Sequence, residues 1–260
     1  MNLANQIIPS ELDESLDLTV KKALRKRHEE QAAKHEPSGK LSASQLGKPL
    51  LEQVLKIIGV PTKPIDDYAL GLFARGDSVE KEMVELIDGD DTQVFCEYRD
   101  AIGYLDIIKD NHPIEVKSIK NSQLQYIDPT NEKKRRSADG LVRVYGGPKY
   151  SHVLQAGLYA LSQGSEDFTL LYVTADDLRR VPHRIKTDTV KPEVDRIIDE
   201  VNKQLASGEL PPFVAREEWQ EKYPQYSNYP DWISLDPDIA MNKLKTQYPT
   251  AYEKLNKKGA

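Results

Sequence analysis

Residues 103–117, GYLDIIKDNHPIEVK, decide the fold of this chain. They contain two short apolar runs, 103–108 and 113–119, separated by the polar residues Asp110 and Asn111. Short runs that include β-branched residues predict strands, and Asp and Asn between them predict a tight turn. The stretch therefore predicts a β-hairpin.

The polar residues of the hairpin fall on one face of the predicted sheet. A two-residue loop pairs Lys109 with His112 and, three steps on, places Asp106 opposite Glu115; a four-residue loop centred there keeps the same register. Because side chains alternate along a strand, Lys117 lies on the same face as Glu115. The opposite, buried face is predicted to carry Leu105, Ile107, Ile114 and Val116.

Two opposed carboxylates need a binding partner, because like charges with Cβ atoms roughly 5 Å apart destabilise a strand pair. A hard cation, Mg²⁺ or Mn²⁺, takes carboxylate oxygens and lowers the pKa of a bound water. Lys117 could hold or deprotonate that water, or stabilise charge on a phosphoryl oxygen. The pattern indicates phosphodiester hydrolysis. The alternative is a solvated Asp106 and an ordinary strand end, since a match of three residues is short and common.

Composition and charge narrow the class of protein. A chain of 260 residues suits one large domain, or one domain with appendages. It is 38% hydrophobic and 30% charged, and no apolar run is long enough to span a membrane, so we expect no membrane partner. The first residues lack the features of a signal peptide, and the lone Cys96 excludes a disulfide and any multi-cysteine zinc or iron–sulfur site. These features predict a cytoplasmic protein. The net charge of −6 argues against binding polyanions by bulk charge but allows a local basic groove.

The rest of the chain alternates predicted helices and strands. Apolar residues at helical spacing predict the helices, and apolar runs predict the strands. The predicted helices cover residues 11–35, about 42–59, 69–87, 150 onward and 190–207. Ser42 or Ser44 is the predicted cap of the second helix. The predicted buried residues of the third helix are Leu72, Phe73, Val79, Met83 and Leu86. The predicted strands cover residues 92–99, 168–173 and 181–186. Residues 120–140 are predicted to be a loop, and their basic cluster, Lys133, Lys134, Arg135 and Arg136, could contact DNA or be solvated.

Four separated pieces then stand in a recognisable order: RGDSVE (75–80), GYLD (103–106), EVK (115–117) and HVLQAGLY (152–159). In this order they resemble the PD-(D/E)XK nuclease superfamily, in particular the branch with the RecB nuclease domain, the CRISPR-associated RecB-like exonucleases and related phage nucleases. The resemblance covers about residues 42–213. It implies an α/β fold with a restriction-endonuclease-like core, in which helices flank a central mixed sheet.

The resemblance also implies a metal site at the edge of that sheet. Asp106 and Glu115 match the main metal ligands, and the backbone carbonyl of Val116 matches a further one. Glu80 matches a helix position that completes the site, although spacing alone does not single it out among neighbouring glutamates. Lys117 matches the catalytic lysine.

The helix that begins at residue 150 carries His152, Gln155 and Tyr159 along one stripe. Such a stripe is also typical of a partly exposed helix face. The resemblance implies that Gln155 and Tyr159 position the nucleic-acid strand and support the lysine or the attacking water. His152 is a weaker match.

The chain departs from its relatives in lacking an iron–sulfur cluster. Many relatives bind one through four cysteines, three of them after a Leu-Pro-Pro-like segment. Residues 210–212 are Leu-Pro-Pro here, but the cysteines are absent. We expect the aromatic tail to fasten the C-terminus instead, through Trp219, Tyr223, Tyr226, Tyr229 and Trp232.

These observations predict three segments: an N-terminal helical extension (1–41), a RecB-like nuclease domain (42–213) and an aromatic-rich C-terminal extension (214–260). The predicted function is Mg²⁺- or Mn²⁺-dependent DNA hydrolysis, most simply by an exonuclease acting at ends or on single strands. Recombination, repair or degradation of DNA, with a phage setting and a recombination or repair protein as partner, would suit such an enzyme. A structure-specific or nicking endonuclease and a non-catalytic DNA-binding subunit are the alternatives.

Overall fold

The computed structural model describes residues 14–33, 38–130, 135–136, 142–143 and 147–259. Within them the chain forms two compact units. The smaller unit comprises residues 14–33 and 65–74, and the larger one comprises residues 38–64 and 75–259.

The smaller unit is built from helix α1, Glu14–Ala33, and the first part of helix α3, Asp67–Ile87. Arg25 forms an ion pair of 2.6 Å with Asp67, and the ring of His28 stacks on Phe73 at 5.9 Å. The helix predicted over residues 11–35 is thus confirmed for its described part. The prediction that Phe73 is buried is wrong, because its ring contact with His28 leaves about half of it in solvent.

A mixed sheet forms the centre of the larger unit. Its order is β1-β3-β4-β7-β8, and β2 pairs with β3 as well. The pairs β1·β3 and β4·β7 are parallel, whereas β2·β3, β3·β4 and β7·β8 are antiparallel. The strands are β1 Leu41–Ser42, β2 Asp91–Tyr98, β3 Ala101–Lys109, β4 His112–Ile119, β7 Asp167–Thr174 and β8 Arg180–Lys186, with β5 Arg135–Arg136 and β6 Val142–Arg143 as a separate antiparallel pair.

Helices cover both faces of this sheet, which confirms the predicted fold class. The larger part of the core lies on the face that carries α2, α5 and α6. On the other face, Val79 and Met83 of α3 pack against Ile107, Val116 and two residues of β7. The helices are α2 Leu50–Ile58, α4 Asn121–Ile127, α5 Tyr150–Gln163, α6 Thr187–Ser207, α7 Glu218–Lys222, α8 Pro237–Gln247 and α9 Pro249–Gly259.

The predicted hairpin is present, with Lys109 paired to His112. Asp110 and Asn111 both have positive φ, 50° and 58°, as a two-residue hairpin turn requires. The strand ladder ends at Ile107, however, because β4 leaves β3 and continues beside β7. The direct ladder pairing of Asp106 with Glu115 is therefore not formed.

This divergence also corrects the predicted buried face. Ile107, Ile114 and Val116 pack together on the α3 side, as one face of the hairpin should. Leu105 instead lies in the main core, since the β2·β3 ladder is interrupted at Asp106, between the pairs Val94–Leu105 and Thr92–Ile107.

Three smaller predictions are wrong. Ser42 and Ser44 do not cap the helix that follows, because a 3-10 turn, Ala43–Gln45, intervenes and α2 begins only at Leu50. Leu86 of α3 is exposed, since only one side of that helix reaches the core. Residues 121–127, expected in a loop, form α4. Lys133, Lys134 and the side chains of Arg135 and Arg136 lie outside the described residues.

The C-terminal segment packs onto the larger unit. Tyr229 and Trp232 are buried in the main core, and the Tyr229 hydroxyl donates to the carbonyl of Val60 at 3.2 Å. Gln220 donates to the carbonyl of Gly47 at 2.8 Å. Tyr229 and Trp232 thus hold the tail as expected, together with bonds to the segment around α2. The other three aromatic residues expected to fasten it are exposed: Trp219, Tyr223 and Tyr226.

Among the described residues, no helix combines the length and apolar character that a membrane span needs.

Candidate active site

The structure brings the six side chains predicted to act in catalysis into one region of the larger unit. They come from four elements that meet where β3 and β4 diverge. These residues are Glu80 of α3, Asp106 of β3, Glu115 and Lys117 of β4, and Gln155 and Tyr159 of α5.

Glu115 lies at the centre of this cluster and is 1% exposed. Its Oε1 atom is 2.6 Å from the Nζ atom of Lys117 and accepts a hydrogen bond of 2.9 Å from Gln155. The amide of Gln155 also lies 3.0 Å from the Tyr159 hydroxyl. One carboxylate therefore joins the strand lysine to the helix that carries the Gln and Tyr.

Asp106 takes the place of the missing strand partner. Its Oδ2 atom accepts a hydrogen bond of 2.7 Å from the backbone N–H of Val116. Because Val116 lies between Glu115 and Lys117, this bond fixes Asp106 against the strand that carries both. The loss of ladder pairing is what brings the carboxylate to the site.

Glu80 joins the cluster through a residue that the sequence did not single out, Gln93 of β2. The Gln93 amide donates to Glu80 Oε1 at 2.6 Å and lies 3.4 Å from Asp106 Oδ1. Gln93 also has a φ of 50°, an unusual backbone conformation for this residue type in a strand. Such outliers cluster at functional sites. Only the register of β2 against β3 could have revealed it, because it pairs Thr92 and Val94, on either side of Gln93, with Ile107 and Leu105, on either side of Asp106.

Tyr159 reaches the site because residue 103 has no side chain. A Cβ atom at Gly103 would lie 2.6 Å from a ring carbon of Tyr159 and 2.7 Å from its hydroxyl. Such distances are too short for any real contact, so the glycine allows the ring to lie directly on β3. Tyr159 is buried there and serves as a support rather than a surface contact.

The cluster has more acids than bases. Burial, together with the charge of Asp106, raises the pKa of Glu115 to about 8 and that of Glu80 to about 7. Burial also raises the pKa of Asp106. For Lys117, burial lowers the pKa but the three carboxyl groups outweigh it, so the pKa is raised. Three carboxyl groups thus share one lysine in a region largely closed to water.

The residues present fit a hard divalent cation. The Oε2 atom of Glu115 is buried and has no hydrogen-bond partner, which is costly for a carboxylate oxygen. Oxygen ligands and surplus negative charge are what Mg²⁺ and Mn²⁺ require. Within the described ranges, no three acidic, His or Cys side chains already converge on one point. Gln93 lies between Glu80 and Asp106 instead, and Lys117 lies on Glu115.

His152 lies beside the cluster without joining its hydrogen bonds. Its Nδ1 atom is 3.1 Å from the hydroxyl of Tyr172, which also accepts from the backbone N–H of Lys149. Burial, with the charges of Lys117 and Lys149, lowers the pKa of His152 to about 3. The imidazole is therefore neutral near pH 7.

Comparison with known proteins gives only distant likenesses. No family model matches the chain, and no curated protein matches it. Among solved structures, it is similar to the alkaline exonuclease LHK-Exo from Laribacter hongkongensis, with 16% identity and a TM-score of 0.43, over 64% of this chain and 90% of that one. LHK-Exo in complex with dAMP gives the same identity and TM-score over 73% and 95%.

The protein SSO0001 is similar at 16% identity and a TM-score of 0.43, over 78% of this chain and 91% of that one. Likenesses of this strength do not show what the chain does. A proposal about its function therefore depends on the chemistry of its own residues.

Proposed function

We propose that this chain is a divalent-metal-dependent DNA nuclease of the PD-(D/E)XK type, acting most simply as an exonuclease at ends or on single strands. The observation that carries the proposal is the buried Glu115 carboxylate. It contacts Lys117 and Gln155 through one oxygen and leaves the other without a partner. A purely binding role gains nothing from this arrangement, whereas hydrolysis of a phosphodiester uses each part of it.

The carboxylates and the backbone carbonyl of Val116 would hold the cation. Glu80, Asp106 and Glu115 offer oxygen atoms from α3, β3 and β4. A bound Mg²⁺ or Mn²⁺ supplies a water of lowered pKa and a Lewis acid for the phosphoryl oxygen. Because Glu115 and Glu80 hold protons, fully or in part, near neutral pH in the metal-free fold, the cation would displace these protons as it binds.

Lys117 has the role of a fixed positive charge. Because its pKa is raised, the ammonium group stays protonated at neutral pH. It can therefore stabilise charge that develops on the phosphoryl oxygen and orient the attacking water, but it is a poor base. Stabilising this charge is one of the roles that the sequence left open for it.

Gln155 and Tyr159 would act through Glu115. The amide of Gln155 contacts both the carboxylate and the Tyr159 hydroxyl, and the tyrosine is buried. We therefore assign Tyr159 to holding Gln155, and Gln155 to holding Glu115. The biological setting that we propose is DNA recombination, repair or degradation in the cytoplasm, by a nuclease domain of residues 42–213 flanked by two extensions.

The test is digestion of a DNA labelled at either end, linear against circular, with Mg²⁺, Mn²⁺ or EDTA. Lys117→Ala should abolish cleavage. The matched control is Lys109→Ala, since Lys109 lies on the neighbouring strand but bonds to the carbonyl of Asp88, outside the cluster. Laddering of linear DNA with circles spared would establish the exonuclease and its polarity.

Two other results would change the conclusion. Cleavage of circles would favour the endonuclease. Binding without cleavage under every metal condition, or equal cleavage by the parent and Lys117→Ala, would refute the proposed mechanism.

A further inference from the structure

His152 lies on the side of α5 that faces the candidate active site. It is three residues before Gln155 and seven before Tyr159, so the three side chains follow one stripe of the helix. Gln155 of this stripe contacts Glu115 on β4. The proposed hydrolysis uses Gln155 and Tyr159 but gives no role to the imidazole of His152.

The register of the sheet brings His152 close to Lys117. Lys117 of β4 is the direct partner of Tyr172 of β7, in a parallel pair whose side chains at one level lie on the same face. The ring centroid of His152 is 5.6 Å from that of Tyr172, and its Nδ1 atom is 3.1 Å from the tyrosine hydroxyl. The charge of Lys117 helps to lower the pKa of the imidazole, as expected for near neighbours.

Tyr172 decides which nitrogen of His152 carries the proton. Tyr172 is fully buried, and its hydroxyl oxygen accepts a hydrogen bond of 2.9 Å from the backbone N–H of Lys149. The hydroxyl hydrogen also requires an acceptor, because a buried polar group without a partner is costly. Nδ1 of His152 offers one. A neutral imidazole that accepts at Nδ1 carries its proton on Nε2.

The Nε2–H group is therefore a donor directed away from Tyr172, since Nε2 lies on the far side of the ring from Nδ1. Within the part of the chain that the structure describes, His152 makes its hydrogen bond through Nδ1 and none through Nε2. The pKa of His152, lowered to about 3, keeps the ring neutral at pH 7. A neutral donor beside the ammonium group of Lys117 suits an anionic oxygen without adding further charge.

We propose that the Nε2–H group of His152 donates a hydrogen bond to a non-bridging oxygen of the DNA phosphate that is bound beside Lys117. Tyr172 is the positioning residue that holds the imidazole in this tautomer. The proposal rests on the proposed function and adds one contact to the substrate. It commits to a phosphoryl oxygen because the donor lies next to the ammonium group that would stabilise charge on the same phosphate.

The first experiment determines the tautomer without any cleavage. Two-bond ¹⁵N–¹H spectra of the imidazole groups are recorded on the full-length protein at pH 7 in EDTA. The chain has five histidines, and His152→Gln assigns the signal of His152. We expect a neutral ring protonated at Nε2, which Tyr172→Phe should turn into a mixture of tautomers. A ring protonated at Nδ1 in the parent would overturn the proposal.

The second experiment compares two replacements that each keep one nitrogen position of the ring. The amide of Gln can place a donor near the position of Nε2, whereas that of Asn reaches only the position of Nδ1. In single-turnover cleavage of linear DNA in Mg²⁺, His152→Asn should lower the rate by roughly tenfold or more, as loss of one hydrogen bond to a charged group does. His152→Gln should retain most of the rate. The control is His183→Gln, because His183 also contacts the Tyr172 ring, at 5.7 Å, but lies on β8.

Three results would count against the proposal, and they differ in what they leave standing. Equal rates of cleavage by the parent and by His152→Asn would leave the nuclease in place and overturn the contact. Equal losses of rate in His152→Asn and His152→Gln, matched by their losses in Tm, would assign His152 to the stability of α5 and overturn the contact as well. No cleavage by the parent in Mg²⁺ or Mn²⁺ would refute the proposed function itself.

Discussion

Replacing Glu115 with Gln should stabilise the metal-free protein while it abolishes the proposed nuclease activity. In the metal-free fold, burial and the neighbouring carboxylate raise the pKa of Glu115 from 4.5 to about 8. Between these two pH values the unfolded chain has lost this proton and the folded chain still holds it. The free energy of unfolding of the parent therefore falls as the pH rises toward 8, by about 1.4 kcal/mol for each pH unit.

Glutamine has no proton to lose, so Glu115→Gln escapes this cost. Its uncharged amide can still accept from Lys117 and Gln155 through its oxygen, as Glu115 does. The stability gap between variant and parent should widen from pH 5 to pH 8 by up to about 4 kcal/mol. For a protein of this size that corresponds to a gap in Tm on the order of 8 °C.

The assay is a set of thermal melts at pH 5, 6, 7 and 8, in EDTA and in Mg²⁺ or Mn²⁺. In EDTA the variant should melt above the parent, increasingly so at higher pH. Metal at 100 times its Kd should then raise the free energy of unfolding of the parent by about 2.7 kcal/mol and leave that of the variant nearly unchanged. Asp167→Asn is the control, since Asp167 is paired with Arg184 and Lys186 and should not affect the response to metal.

Two results would refute the reasoning. A difference in Tm that does not depend on pH would mean that Glu115 is already ionised in the metal-free fold. Equal metal-induced shifts in the parent and in Glu115→Gln would mean that this carboxylate does not hold the cation.

Two further perturbations test side chains that support the site, and a third tests an ion pair of α6. Gly103→Ala should displace the Tyr159 ring and lower both Tm and the rate of cleavage. Removing the hydroxyl as well, with Tyr159→Phe, should restore little of either quantity, because the added methyl group also meets a ring carbon. Gln93→Ala removes the donor between two carboxylates and should raise the metal concentration needed for half-maximal cleavage, measured beside the Tm without metal. The ion pair with Arg196 lowers the pKa of Glu193 to about 2. The stability that the ionised Glu193 contributes is therefore present above pH 4.5 and is lost as the pH falls toward 2. In melts from pH 5 to pH 3, Glu193→Gln should lose less stability than the parent.

The sequence predicted the elements of the site better than their contacts. The alternating runs around Asp110 and Asn111 gave the hairpin and its loop, because strand alternation and turn chemistry are local. The helix that carries Gln155 begins at residue 150, as predicted, and ends at Gln163. Local rules did not show that β4 would leave β3, since that depends on the competing partner β7 more than fifty residues further along the chain.

Glu80 and Gln93 show where single-sequence reasoning stops. Glu80 could be separated from Glu82 and Glu85 only by the helical phase that buries Val79 on the sheet and leaves the other two glutamates exposed. Gln93 needed both the register of β2 against β3 and its unusual φ. Neither the strand register nor this backbone angle can be read from the residue types alone.

The divergence of β3 and β4 explains why the cluster lies at this point in the fold. β3 pairs with β1 only at Ala101 and Ile102 and with β4 only from Ile107 onward. Within the described residues, the edge of 103–106 between these contacts has no strand beside it. A buried backbone N–H there still requires an acceptor, and the Asp106 carboxylate provides one for Val116.

A continuous ladder would satisfy the same N–H with a carbonyl group and would leave Asp106 no reason to approach β4. The break instead replaces a neutral acceptor with a carboxylate, next to Glu115 and within reach of the α3 and α5 side chains. Each helix then contributes a group that touches this pair, Gln155 directly and Glu80 through Gln93. The irregularity in the sheet thus brings Asp106 beside Glu115 and Lys117, and the proposed cation site rests on this arrangement.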